Sequence, residues 1–238
     1  MIQIFKKELK SYLLNPLGYV FLVVFFCIVS MLFYMYNLEQ EVSNFGVVLA
    51  NLRIALMIFI PAITMNLLVE ERRNKTEQLL FSVPVTISDI VIGKFLAATA
   101  MLIITIVLTM LYPAMLLIVT PIYIPSLITS YIGFLALGMS LIAICMFISS
   151  FMENSIISFI VGLGTIFFIW LGEHLIGVMK IEILSEIVDT LLDTFCLMRK
   201  YMEFNGGLLN ISTVWYYLTI VVMFVFLTIR QIERRRIG

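Results

Sequence analysis

Six long apolar runs divide the chain, at residues 18–36, 50–69, 90–119, 127–149, 156–171 and 214–229. Four of them reach the ~20 residues that carry a helix across hydrocarbon, and the other two fall only slightly short. The third is longer than one crossing requires and contains Pro113. Residues 2–14 follow a different pattern. Ile2, Phe5, Leu9, Tyr12 and Leu13 recur at helical spacing, while Gln3, Lys6, Lys7 and Lys10 take the other side. A short basic helix of this kind lies in the headgroup region rather than crossing it. Asn15-Pro16 ends it, because the residue before proline avoids helical angles. The pattern predicts an all-α membrane protein, a single domain over 1–238 with six transmembrane helices.

Composition strengthens this picture. Of 238 residues, 62% are hydrophobic and 13% charged, about half the charge that keeps a soluble surface wet. Fifteen basic residues balance fifteen acidic ones, which argues against the basic face of a nucleic-acid binder. Cys27 and Cys145 lie inside apolar runs and Cys196 in a polar connection, with neither a disulfide nor a metal spacing. The first apolar run is long and lacks a small-residue cleavage site, so it reads as a spanning helix and not as a signal peptide.

Charge placement sets the orientation. Lys6, Lys7, Lys10, Arg72, Arg73, Lys75, Lys94, Arg230, Arg234, Arg235 and Arg236 fall on one side of a six-span chain. They are eleven of the fifteen basic residues; the other side holds Arg53, Lys180, Arg199 and Lys200. The positive-inside bias puts both termini in the cytoplasm. The largest outer connection is 172–213, where Leu184, Ile187, Val188, Leu191, Leu192 and Phe195 form an apolar stripe against Glu182, Glu186, Asp189 and Asp193. An amphipathic helix is expected there, at the outer interface or dipping into the bundle. Gly206-Gly207 breaks the chain before the last span.

The densest polar cluster, Glu70-Glu71-Arg72-Arg73-Asn74-Lys75-Thr76-Glu77, follows the second span and continues through Pro84 to Gly93-Lys94. One reading is a solvated loop. A second is an intramembrane protease that uses Glu70 and Glu71. Against it, Lys75 stands where such a motif has arginine, and the only histidine, His174, falls on the opposite side. In a third reading Thr76 to Phe81 forms a short amphipathic helix, capped by Asn74 or Thr76, with Leu79, Leu80 and Phe81 apolar and Pro84 ending it. A new helix starts near Ser88-Asp89. Such a helix, wedged between two spans, suits docking against a soluble partner.

Other candidates fade on inspection. Gly133 and Gly138 have the separation of a phosphate loop, but Met139-Ser140 follows with no lysine, so close packing is expected. Glu173-His174 is too small a set for a metal, and no metal site is assigned. Fifteen methionines, with Met31/Met35 and Met198/Met202 on shared faces, read as packing. Spans almost without charge argue against an ion-coupled secondary transporter. Pro61 and Pro113 are expected to kink their spans.

The stretch from Glu70 to Pro84, followed by Gly93-Lys94, resembles the signature of ABC-2-type transporter permeases. Lys7-Glu8-Leu9 with Asn15-Pro16 is similar to that family's elbow helix (1–16). The run Ser149-Ser150-Phe151-Met152-Glu153-Asn154 is similar to its junction between spans four and five. The tail, from Phe204-Asn205-Gly206-Gly207 through Tyr216-Tyr217 to the arginines, is closest to the gliding-motility-associated branch. Lys75 departs from the pattern, standing where the family has glycine.

The resemblance implies a membrane subunit of an ATP-driven exporter in a bacterial cytoplasmic membrane, with no catalytic residue or cofactor of its own. ATP and magnesium would belong to a partner ATPase in two copies, alongside a second permease. Within the coupling loop 70–89, Glu70, Glu71, Arg72, Thr76, Glu77, Leu79, Leu80 and Pro84 would dock on that ATPase. Phe5, Lys6, Lys7, Leu9 and Lys10 of the elbow would support the contact. Leu184, Ile187, Leu191 and Phe195 would form an outer gate. The gliding branch also allows force transmission to an extracytoplasmic auxiliary protein instead of transport.

Overall fold

The computed structural model describes residues 1–40, 44–73, 86–119, 123–178 and 196–237. Among them there are helices and no strands. The helices are α1 (Ile2–Leu14), α2 (Pro16–Phe33), α3 (Gly46–Thr64), α4 (Val69–Arg73), α5 (Ile87–Thr109), α6 (Leu111–Val119), α7 (Ile124–Ser149), α8 (Ser155–Val178), α9 (Leu197–Asn205) and α10 (Ile211–Ile237). A π-helical turn, Tyr34–Leu38, continues α2. Six segments are long and apolar enough to cross a membrane: Gly18–Leu38, Gly46–Arg73, Ile87–Ile118, Ile124–Ser149, Ser155–Gly172 and Ile211–Arg235. They are spans 1 to 6 below. Six crossings bring both chain ends to one end of the bundle, the terminal face.

The helix boundaries follow local chemistry. Asn15 is extended (φ −77°, ψ 131°) and Pro16 opens α2, where its missing N–H costs nothing. The start expected near Ser88-Asp89 falls at Ile87, because Thr86 is the cap: its hydroxyl accepts the Asp89 amide at 3.2 Å. Span 3 breaks at Met110, three residues before Pro113, and span 2 is interrupted after Pro61, between α3 and α4.

Span 4 is the centre of the bundle, with 67% of its apolar window buried against 17% for each of spans 5 and 6. It packs on spans 2, 3 and 6 and on α9. Its glycines make those approaches possible. A Cβ on Gly133 would stand 2.5 Å from the Phe204 Cβ, and one on Gly138 would collide with Leu102. The expectation of a packing role for this pair holds.

At the face opposite the termini, side chains from three spans stitch α9 into the core. The Tyr217 hydroxyl donates to the Leu197 carbonyl, Thr129 to Phe204 at 3.0 Å, and an Arg53 guanidinium N–H to Met198 at 3.2 Å. Tyr201 and Phe204 are fully buried. A helix was expected earlier in this connection; Leu184, Ile187, Leu191 and Phe195 lie outside the described residues, as do the side chains of Glu173 and His174. Gly206-Gly207 does break the chain, with Gly207 at φ +82°.

Replacing Gly133 by valine should lower stability by about 1–3 kcal/mol through overpacking against Phe204. Alanine at Gly164, whose Cβ would meet nothing within 4 Å, should be neutral or stabilise slightly. Melting of the two variants in one detergent separates these outcomes.

Candidate functional site

The interruption of span 2 generates the chemistry at the terminal face. Backbone groups beside a helix break lose their i to i−4 partners, and where they are buried, as at Ile63 and Leu67, other protein groups must replace them. Two carbonyls at this break are satisfied from outside the span. The Tyr12 hydroxyl of α1 donates to the Ile63 carbonyl at 2.7 Å. The Lys94 ammonium of span 3 donates to the Leu67 carbonyl.

Lys94 lies two turns inside α5 and is only 2% exposed. Its Nζ also sits 2.9 Å from a Glu71 carboxylate oxygen and 3.3 Å from a Glu8 carboxylate oxygen. An ammonium has three N–H donors, and here each has an acceptor: Leu67, Glu71 and Glu8. A bare charge at this depth would cost several kcal/mol, whereas a fully partnered one is tolerated. The three acceptors come from the span 2 break, the start of α4 and α1. One side chain therefore ties α1, span 2 and span 3 together.

Gly93 prepares the approach. A Cβ there would lie 3.2 Å from the Ile4 side chain and from the Met1 carbonyl, so α1 rests directly on the α5 backbone. The Gly93-Lys94 pair thus has two linked tasks, close contact and ion pairing. Burial, reinforced by the charges of Glu8 and Glu70, pushes the Tyr12 hydroxyl well above its ordinary pKa and keeps it a donor.

Arg72 makes a second tie. One guanidinium nitrogen donates to the carbonyls of Phe151 and Met152 at 3.2 and 3.4 Å, and the other pairs with Glu153. A cation on the carbonyls just past the end of α7 also lies favourably against the negative end of that helix. The end of span 2 is thereby fastened to the link between spans 4 and 5.

Of the residues expected to dock a partner, Glu71 and Arg72 are thus engaged within the chain. Glu70 and Arg73 are exposed, as are Lys6, Lys7 and Lys10 on α1, while Phe5 and Leu9 turn half-buried toward the bundle. Thr76, Glu77, Leu79, Leu80 and Pro84 lie outside the described residues. The structure does not present Glu70 and Glu71 as a catalytic pair, since Glu71 is held by a buried lysine while Glu70 faces out. Sequence reasoning missed Glu8 and Tyr12. The signal was present: Glu8 falls between Phe5, Leu9 and Tyr12 on the apolar stripe, where a carboxylate needs a cation.

The order of these parts is a short surface helix, a charged end on span 2, a Gly-Lys opening span 3 and six crossings. Over residues 2–230 the sequence matches the family model described as ABC-2 family transporter protein. The chain belongs to that family. Comparison with curated proteins gives no match. As an ABC-2 family member it is a transmembrane subunit of an ABC transporter, and ATPase activity in such systems resides in a partner.

Replacing Lys94 by methionine should cost about 3 kcal/mol, since Glu8 and Glu71 would lose their buried counter-charge. Melting of the purified chain in detergent measures it. A loss below ~1 kcal/mol, as for a surface pair, would contradict the burial argument.

Proposed function

We propose that this chain is the permease of an ATP-driven exporter or force-transmitting machine, and that its terminal face receives an ABC ATPase in the cytoplasm. The observation that carries this reading is the Lys94 tie. It fastens α1, span 2 and span 3 at both borders of the segment 74–85, whose sequence reads as a coupling helix. A load applied to that segment meets one connected unit instead of three separate helices. Arg72 extends the connection to spans 4 and 5.

Docking then falls to Glu70, Arg73 and the α1 lysines, together with Thr76, Glu77, Leu79, Leu80 and Pro84. Glu71 and Arg72 act behind them as internal ties. The positive-inside bias supports cytoplasmic termini, and the family resemblance supports a bacterial inner membrane. Two permeases and two ATPases make up the assembly. Substrate or force leaves through the outer segment 172–213, and the similarity of the tail to gliding-associated permeases favours an extracytoplasmic protein partner there.

Purification in detergent from cells expressing the chain with its cognate ATPase should recover both in equal amounts. Glu70→Lys and Arg73→Glu should each weaken association by about tenfold, or ~1.4 kcal/mol. Failure of any ATPase to co-purify, or unchanged binding in both variants, would contradict the assignment.

A further inference from the structure

A groove of about 270 Å³ opens between α1 and spans 1 and 2. Its floor is apolar and buried, formed by Phe59 and Ile63, and Met101 reaches it from span 3. Its rims are apolar and exposed: Val24 on span 1 at 45% and Ile58 on span 2 at 57%. Polar groups gather at one end only, where Tyr12, Asn15 and Asn66 line the mouth. From Asn15 to Val24 the groove follows span 1 for about 13 Å, at 1.5 Å per residue.

We propose that this groove binds one acyl chain of a glycerophospholipid from the leaflet on the terminal face, with the glycerol-phosphate held at Asn15 and Asn66. Three observations favour this occupant. The groove is walled by two spanning helices, so the medium beside it is hydrocarbon. Its long axis follows span 1, the direction of a lipid tail. Finally, the polar groups of the lining, Tyr12, Asn15 and Asn66, sit at one end only, where the glycerol and headgroup of a lipid would lie.

The Asn66 amide makes no side-chain hydrogen bond to a described residue, so its N–H groups can meet a phosphate or ester oxygen. Asn66 lies in the span 2 break, between the two carbonyls that Tyr12 and Lys94 satisfy. Bound lipid would fill the space between α1 and that break. Because a tail leaving bulk lipid gains little from hydrophobicity alone, selectivity rests on groove shape and the polar mouth.

Native mass spectrometry tests the site on the full chain, delipidated in mild detergent and titrated with phosphatidylglycerol. One lipid should bind more tightly than the rest. Val24→Trp on the rim and Ala62→Trp in the wall should each weaken that binding by about tenfold, ~1.4 kcal/mol. Val23→Trp, more exposed than Val24 and outside the groove, should leave it unchanged. Diacylglycerol, which lacks the phosphate, should bind more weakly than phosphatidylglycerol. Retention of the tight lipid in both filling variants would overturn the site, as would efficient Val24→Cys disulfide crosslinking between two copies. Equal binding of diacylglycerol would overturn the headgroup assignment. If Ala62→Trp fails to fold, the rim variant decides alone.

Discussion

A helix interrupted where its residues are buried leaves backbone groups that water cannot reach, and the fold depends on how span 2 resolves this. The break between Thr64 and Val69 follows Pro61, which removes one donor from the ladder. The Ile63 and Leu67 carbonyls are then satisfied by Tyr12 and Lys94, from two other helices. Once Lys94 enters at that depth its charge requires counter-ions, and Glu8 and Glu71 supply them. A local backbone defect therefore determines which helices must touch.

This arrangement gives the terminal face a mechanical character distinct from the opposite face. There α9 is held by two hydroxyl-to-carbonyl bonds, by the Arg53 guanidinium on the Met198 carbonyl and by aromatic packing around Tyr201, Phe204 and Tyr217. At the terminal face the ties are charged and converge on one lysine and one arginine. In the proposed machine these are the contacts through which a push at 74–85 would spread. The lipid groove borders the same break, so the bilayer itself would become part of the joint.

Most of the architecture was legible in the sequence because hydrophobic length and helical periodicity are local signals. All six crossings, the turn at Asn15-Pro16 and the break at Gly206-Gly207 follow from residues close together in the chain. The Lys94 tie was not, since its acceptors Glu8, Leu67 and Glu71 come from distant segments and ion-pair geometry is a tertiary property. Counting Lys94, at the mouth of the third span, among the charges of one side was reasonable for orientation but hid its burial. Glu71 and Arg72 illustrate the same limit: a charged run at a helix end reads as solvated, yet two of its members face inward. Glu8 on an apolar stripe was the one local clue.

The central claim is that Lys94 fastens α1 to spans 2 and 3. Hydrogen exchange across residues 2–14 tests it most directly, in the full chain and in Lys94→Met and Lys94→Arg variants. With the ammonium lost, the α1 amides should exchange at least ~tenfold faster, as expected when a local opening equilibrium loses about 1.4 kcal/mol of support. Arginine, which keeps a charge but not the compact geometry, should give an intermediate rate. Unchanged α1 exchange in the methionine variant would show that α1 is held by apolar packing alone, contradicting the account.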